Sequence, residues 1–284
     1  MLDDFEIFDA HMHYNGVFKP KDMNIIEYMD DNGIDLAIVN TLNTSANLSD
    51  FTRRTPEEWK QLLKNPDFEI FKDFRYAGQP SHEKVMHLLE KYPSRIFAFF
   101  WYNPADPNDP GHENGLKIVE KALRKKCFKG VKVQLAMTPC KVEDLFPVAK
   151  LLEEFDLPIY VHLSGGLFAS RFMRPFFLKP LIKNFPKLKI ILGHAASTME
   201  FCIETIFTSI DASNIYFETS VSIPFGIISL VKMFGSKRVI FGSDSPAATP
   251  FHIEYQKIQH LKLSKRAKMD LFSNNIKRLI HFED

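Results

Sequence analysis

Short β-rich segments alternate with segments of helical periodicity along the whole of the 284-residue chain. The β-rich segments are Phe5–Ala10, Ile34–Thr41, Ile96–Tyr102, Gly130–Leu135, Pro158–Leu163, Leu188–Leu192, Ile215–Ser220 and Arg238–Phe241. The helical segments are Asp22–Asn32, Glu83–Tyr92, Gly115–Lys126, Val142–Phe155, Phe176–Phe185, Met199–Ser209, Phe225–Phe234, His252–Leu261 and Lys265–Leu271. Each connecting helix can supply the crossover that parallel strands need. Eight such units predict an α/β fold of one domain, a (β/α)8 TIM barrel over residues 1–284, because a doubly wound open sheet usually has about five or six strands.

The charge balance argues against two classes of partner. Thirty-six basic side chains stand against 35 acidic ones, which gives no electrostatic reason to expect nucleic acid or an anionic membrane. The chain begins with an acidic segment where a signal peptide would be basic. Three cysteines without CxxC spacing predict free thiols in a reducing compartment. We therefore expect a cytoplasmic protein acting on a small molecule, with a homodimer as the commonest assembly for a soluble chain.

The connection after the second strand, Leu42–Ser81, is long for a barrel of this kind and rich in aromatic residues. Pro56–Lys64 has the features of a helix within it. A long loop on this side of a barrel can form a lid or a pocket wall, or it can be a small packed excursion. The sequence leaves both alternatives open.

Two histidines alternate in the first segment, Asp9-Ala10-His11-Met12-His13. Because alternate side chains of a strand share a face, His11 and His13 project together and Asp9 lies one layer deeper. Two adjacent imidazoles could form half of a metal site. The HxH pattern alone is weak, since capping or hydrogen-bonded histidines produce it as well.

Ionisable residues also follow three later strands. His162 ends Pro-Ile-Tyr-Val-His, His194 follows Ile-Ile-Leu-Gly, and Asp244 follows Val-Ile-Phe-Gly-Ser. Such a residue after a buried strand is costly unless it is paired or binds a metal. In a barrel these strand ends converge on one mouth, where TIM-barrel active sites form. Together with the HxH pair, they predict a metal site.

The motifs DAHMH, VHLS, LGHAA and FGSDSP, in this order, resemble the metal-site motifs of the amidohydrolase superfamily. More narrowly they are similar to the amidohydrolase-2 branch, which includes aminocarboxymuconate-semialdehyde decarboxylase and related lactonases and hydrolases. The segment Trp101–Pro104 and the closing Asn-Asn-Ile-Lys-Arg-Leu-Ile resemble that branch too, so the resemblance covers essentially the whole chain.

The resemblance implies roles for particular residues. The residues that match its metal ligands are His11, His13, His162 and Asp244. His194 matches the histidine that activates water or polarises substrate, so Asp244 and His194 are the expected catalytic pair. The branch usually binds one divalent ion, and His/carboxylate ligands favour zinc, with manganese as the alternative.

Strand four departs from the family pattern. Gly130-Val131-Lys132-Val133-Gln134 has Gln134 where the family often has histidine. Lys132 is expected to face inward as a structural or substrate-contacting cation, although some superfamily members carboxylate this lysine to bridge two metals. Further expected substrate contacts are Trp101, Arg171 and Glu218. For Arg171, a solvated surface position is the alternative.

These residues predict a metal-dependent hydrolase that attacks an ester, lactone or amide of a small carboxylated compound through activated water. The alternative is a metal-dependent, non-oxidative decarboxylase of an unsaturated or aromatic carboxylic acid. A third hypothesis is a non-catalytic metal-containing binding protein. Sequence alone does not separate the first two, because function belongs to the details of the site and not to the fold.

Overall fold

The computed structural model describes residues 5–41, 54–64, 78–164 and 171–282, which form a barrel of eight parallel strands. The strands are β1 (Phe8–His13), β2 (Leu36–Asn40), β3 (Ile96–Trp101), β4 (Phe128–Gln134), β5 (Ile159–His162), β6 (Ile190–Gly193), β7 (Ile215–Glu218) and β8 (Val239–Ile240). They pair in chain order. Backbone hydrogen bonds from Ala10 N to Phe241 O and from His13 N to Ser245 O join the first strand to the last and close the sheet. The predicted (β/α)8 barrel is confirmed.

The helices are α1 (Ile25–Asp31), α2 (Pro56–Leu63), α3 (Glu83–Lys91), α4 (Glu113–Leu123), α5 (Phe146–Phe155), α6 (Lys179–Asn184), α7 (Met199–Ser209), α8 (Pro224–Phe234), α9 (Phe251–His260), α10 (Lys265–Met269) and α11 (Asn275–Leu279). Two of the predicted helices, Val142–Phe155 and Phe176–Phe185, begin later than expected because a 3₁₀ turn precedes them. In each of them this 3₁₀ turn takes the place of the first α-helical turn. A proline then lies in the first turn of α5 and of α6, where a missing backbone N–H costs no intrahelical hydrogen bond. Across the described residues, none of the helices is long and apolar enough to span a bilayer.

The first strand differs from its prediction. The β-rich run was predicted as Phe5–Ala10, whereas β1 runs from Phe8 to His13 and so includes the two histidines whose shared face was predicted; both are buried. Pairing of His13 with Asn40 of β2 and the hydrogen bond from His13 N to Ser245 O hold this end of the strand between two neighbours. Tertiary pairing therefore extends the strand through residues whose own β-propensity is low.

Apolar side chains fill both faces of the strands. Ile190 and Leu192 of β6 pack outward with the helices, whereas Ile191 points into the barrel. The inner cluster is contributed by six strands and closed by α11. This packed base supports the polar residues above it, at the carboxyl ends of the strands.

The long connection after β2 is described only in part. The predicted helix is confirmed as α2, with Thr55 and Glu58 forming a reciprocal cap at its start. Residues 42–53 and 65–77 lie outside the described residues, so the choice between a lid and a packed excursion stays open. The returning chain is fastened to the end of β3, where the side chain of Gln79 exchanges two hydrogen bonds of 2.9 Å with the backbone of Asn103.

His82, just before α3, is fixed in its neutral form. Its Nε2 accepts the backbone N–H of Trp101 at 2.8 Å, and its ring stacks on Phe100 with centroids 4.0 Å apart. Burial lowers the pKa of His82 to about 4, against a hydrogen bond to Pro80 that raises it. Protonation of Nε2 in the folded state would break the hydrogen bond that it accepts from Trp101 N.

This predicts a pH dependence of stability. Between about pH 6.5 and pH 4 the unfolded chain takes up a proton that folded His82 resists, so stability falls as the pH falls through this window, by up to about 3 kcal/mol. Thermal unfolding of His82→Gln should show a shallower decline over this range than the unchanged protein. His87→Gln, at an exposed position of α3, is the control and should keep the original slope. Parallel curves for all three proteins would contradict the assignment.

Candidate active site

The HxH pair lies at the mouth of the barrel, held from below by Asp9. One oxygen of Asp9 accepts the backbone N–H groups of His11 and Ser243, each at 3.0 Å. This ties β1 to the loop after β8. Burial raises the pKa of Asp9 to about 8 against these hydrogen bonds. The side chains of His11 and His13 are 0% and 5% exposed, and both rings face the same end of the barrel.

Asp244 brings a carboxylate to three imidazoles. Its oxygens lie 3.2 Å from Nε2 of His13, 3.5 Å from Nε2 of His11 and 3.7 Å from Nε2 of His194. Asp244 and His194 have φ of 55° and 57°, so each strand-end turn adopts a left-handed conformation that directs the side chain into the mouth. Although burial alone would raise the pKa of Asp244, the imidazoles hold it below its usual range.

His162, at the end of β5, joins the group through His194. Its Nδ1 lies 3.1 Å from Nε2 of His194, and the two rings meet edge to face with centroids 4.5 Å apart. Burial lowers the pKa of His162 well below its ordinary value, and does the same for His11. These imidazoles are therefore neutral, which is the form that binds metals.

The donor set fits a divalent cation. Two ligand atoms each about 2.1 Å from one ion lie about 3.4 Å apart at a tetrahedral angle. The carboxylate of Asp244 is 3.2–3.7 Å from Nε2 of His11, His13 and His194, and His162 adjoins this group through Nδ1, 3.1 Å from Nε2 of His194. The ligand atoms of His11, His13 and Asp244 all lie within 4.8 Å of one another, as do those of His11, His194 and Glu218. Burial lowers the pKa of His11 and His13, so their neutral nitrogens and the ionised carboxylate of Asp244 face each other in a buried space that calls for a positive charge.

Lys132 faces inward, as the sequence predicted, and is 1% exposed. Its Nζ lies 2.8 Å from Nε2 of His11 and about 5 Å above the rings of Trp101 and Tyr160 (5.2 and 5.3 Å to their centroids). Burial lowers the pKa of Lys132 to about 8, while Asp244 and Glu218 act in the opposite direction. An ammonium group therefore borders the predicted metal ligands, with Trp101 beside it.

The other two predicted substrate contacts are placed differently. Both oxygens of Glu218 are engaged by protein donors: Ser220 N on Oε1, and Tyr160 Oη, Ser220 Oγ and His194 N on Oε2. Glu218 is 0% exposed. Arg171 is exposed on the turn Arg171–Met173, with its guanidinium 4.9 Å from the ring centroid of Phe172. This geometry favours a positioning role for Glu218 and the solvated alternative for Arg171.

Two side chains of the site escaped the sequence reasoning. The hydroxyl of Tyr160 lies 2.7 Å from Nδ1 of His11, and the hydroxyl of Ser220 lies 2.9 Å from Nδ1 of His194. Strand alternation offered a signal for Tyr160, because it precedes His162 by two residues and so shares its face. Ser220 follows β7 in a turn, and its sequence context carries no comparable signal.

An eight-stranded barrel with buried imidazoles and carboxylates at the carboxyl ends of its strands defines a class of metal-dependent barrel enzymes. The model of the amidohydrolase-2 family, described as Amidohydrolase, matches residues 8–282. The chain therefore belongs to this family of enzymes, and the resemblance drawn from its motifs is confirmed. No curated protein matches it.

Solved structures of the same fold include two decarboxylases. A 5-carboxyvanillate decarboxylase from Novosphingobium aromaticivorans, with bound manganese, is 14% identical with a TM-score of 0.68, over 98% of this chain and 97% of that one. A 2,6-dihydroxybenzoate decarboxylase from Rhizobium is 15% identical with a TM-score of 0.66, over 99% and 100%. An uncharacterized TIM-barrel protein from Bordetella bronchiseptica is 16% identical with a TM-score of 0.72, over 98% and 99%. At these identities the likeness concerns the fold.

Proposed function

We propose that this protein is a metal-dependent, non-oxidative decarboxylase of an unsaturated or aromatic carboxylic acid. The observation that carries the proposal is the carboxylate of Asp244 among three imidazoles, with the buried ammonium of Lys132 beside them. The two decarboxylases that share the fold over their full lengths support this alternative better than the hydrolase that we expected first.

The residues that would hold the ion are His11, His13, His162 and Asp244. The bound ion would supply positive charge to oxygen atoms of the substrate and stabilise the electron density left by departing CO2. We propose one divalent ion, with manganese as the first choice because the 5-carboxyvanillate decarboxylase contains it, and zinc as the second. Cys127, Cys140 and Cys202 are free thiols, which supports the proposal that the protein is cytoplasmic.

Lys132 and Trp101 would select the substrate. A buried ammonium needs a negative partner, and a substrate carboxylate or phenolate would provide one. The Trp101 ring, 5.2 Å from Nζ of Lys132, offers an apolar face for a planar acid. This combination suits an aromatic or conjugated acid better than a saturated one.

Decarboxylation also requires one proton. The bond between the carboxylate and its carbon breaks, the electron pair stays on that carbon, CO2 leaves, and the carbon takes up a proton. Asp244 and His194 would relay it from solvent: Nε2 of His194 would take up the proton and pass it on, 3.7 Å from Oδ2 of the ionised Asp244, and both side chains reach the open end of the barrel, being 10% and 6% exposed.

The test compares two reactions of the manganese-loaded protein in D2O. Hydroxybenzoates and other unsaturated acids should release CO2 and yield products with deuterium at the vacated carbon, detected by mass spectrometry. Protein stripped of metal by a chelator is the control and should release none. Ring opening of lactones without CO2 release from any acid would overturn the proposal in favour of hydrolysis.

A further inference from the structure

Beneath the predicted ligands, Glu218 lies at the centre of a buried network of hydroxyl groups. The hydroxyls of Tyr160 and Ser220 each lie 2.8 Å from its Oε2. On their other side, Tyr160 Oη is 2.7 Å from Nδ1 of His11, and Ser220 Oγ is 2.9 Å from Nδ1 of His194. Each hydroxyl thus bridges one imidazole to the same carboxylate.

The direction of these hydrogen bonds follows from the atoms involved. The hydroxyls of Tyr160 and Ser220 each donate their single hydrogen to the carboxylate oxygen Oε2 of Glu218. The oxygens of Tyr160 and Ser220 must then accept from the imidazoles. Nδ1 of His194 also lies 3.1 Å from the backbone oxygen of Ser220, which can only accept a hydrogen bond. This second contact likewise places the proton of His194 on Nδ1.

The geometry points to Glu218 as a positioning residue that acts through Tyr160 and Ser220 to keep the protons of His11 and His194 on Nδ1, leaving both Nε2 atoms facing Asp244. The contact of Lys132 Nζ with Nε2 of His11 at 2.8 Å agrees, because an ammonium group only donates. A metal requires the bare nitrogen, so Glu218 would prepare His11 for binding before any ion arrives.

Two glycines make room for the network. A Cβ at Gly193 would lie 2.2 Å from the Tyr160 hydroxyl, and one at Gly242 would lie 2.2 Å from Oε1 of Glu218 and 2.9 Å from Cβ of His11. Neither glycine has the positive φ that alone would call for glycine. Glycine is therefore required at these two positions because a side chain would not fit. The space is filled by the Tyr160 hydroxyl and the Glu218 carboxylate, the two groups that orient His11.

This inference rests on the proposed metal site, but its first test needs neither metal nor substrate. Protein labelled with 15N-histidine and freed of metal should show His11 as the Nδ1–H tautomer in long-range 1H–15N spectra, with His11→Asn used to assign the signal. An Nε2–H tautomer for His11 would overturn the inference, whether or not decarboxylation is found.

The second test measures Mn2+ affinity from the electron paramagnetic resonance of unbound Mn2+. Tyr160→Phe removes one bridge, and Glu218→Gln adds an amide donor that would turn the Tyr160 hydrogen toward His11 and move the ring proton to Nε2. Both variants should bind Mn2+ roughly 10–100-fold more weakly, the range for losing an outer partner of a metal ligand. His11 should become the Nε2–H tautomer in Glu218→Gln.

The matched control is Tyr102→Phe. Tyr102 is buried and its hydroxyl lies 3.3 Å from Nδ1 of His112, outside the predicted ligands. This variant should retain full Mn2+ affinity. Equal affinity in Tyr160→Phe and Tyr102→Phe would overturn the inference, and so would weakened binding in both. If a variant unfolds, the tautomer of His11 in the unchanged protein still decides. An unchanged protein that binds no Mn2+ would refute the proposed function and the metal-preparing role together.

Discussion

His11→Ala should abolish stable metal binding. The unchanged protein is expected to contain about one divalent ion per chain, and the variant less than about a tenth of that. His11 is completely buried, its Nε2 faces both Asp244 and Lys132, and alanine would leave these opposite charges without their common partner. Because even outer partners of a ligand are worth roughly 10–100-fold in affinity, a ligand should be worth more. Elemental analysis of purified, manganese-reconstituted protein measures this directly.

The control for this experiment is His87→Ala, at an exposed position of α3, which should retain the full metal content. Retention of the ion by His11→Ala would contradict the predicted ligand set. About two ions per chain in the unchanged protein would contradict the single-ion site. That result would favour a carboxylated Lys132 as a bridge between two ions.

His194→Ala should separate catalysis from metal binding. The variant is expected to keep its metal but to lose on the order of 10²–10⁴-fold in turnover, the usual contribution of a general acid or base. Nε2 of His194 lies 3.7 Å from Asp244, while Nδ1 on the opposite edge of the ring is hydrogen-bonded to Ser220. Measuring metal content and CO2 release on the same preparation checks both halves of the prediction.

Two results for His194→Ala would contradict this prediction. Unchanged turnover would remove His194 from the reaction. Loss of the ion would instead make His194 a ligand, in the alternative group of His11, His194 and Glu218. His112→Ala, on the loop before α4, serves as the control and should behave like the unchanged protein in both measurements.

Much of the fold was predictable because each strand carries its own local signal. Runs such as Ile190–Leu192 are short, apolar and rich in β-branched residues, and helical segments separate them regularly. The convergence of His162, His194 and Asp244 followed from parallel strands alone, since their carboxyl ends must meet. The positions of these three residues needed no side-chain detail.

The supporting residues were harder to predict, because their roles depend on neighbours far away in the chain. A tyrosine inside Pro-Ile-Tyr-Val-His has the composition of a core strand, and only the approach of Glu218 and His11 gives Tyr160 its two hydrogen bonds. Glu218, at the end of the seventh strand, was predicted to contact substrate. The structure surrounds it with donors from β5, from His194 directly after β6 and from the turn after β7 instead.

The seam between the first and last strands has a consequence for biosynthesis. Asp9 holds Ser243, and Asp244 N donates to the backbone oxygen of His11, so the bonds that close the barrel also bring Asp244 to the histidines. A nascent chain exposes His11 and His13 long before the carboxylate of Asp244 has been synthesised. Ions met earlier on the ribosome would find two imidazoles and exchange freely. Under the proposed function, the metal would therefore be bound stably only after Asp244 has been synthesised and the barrel has closed.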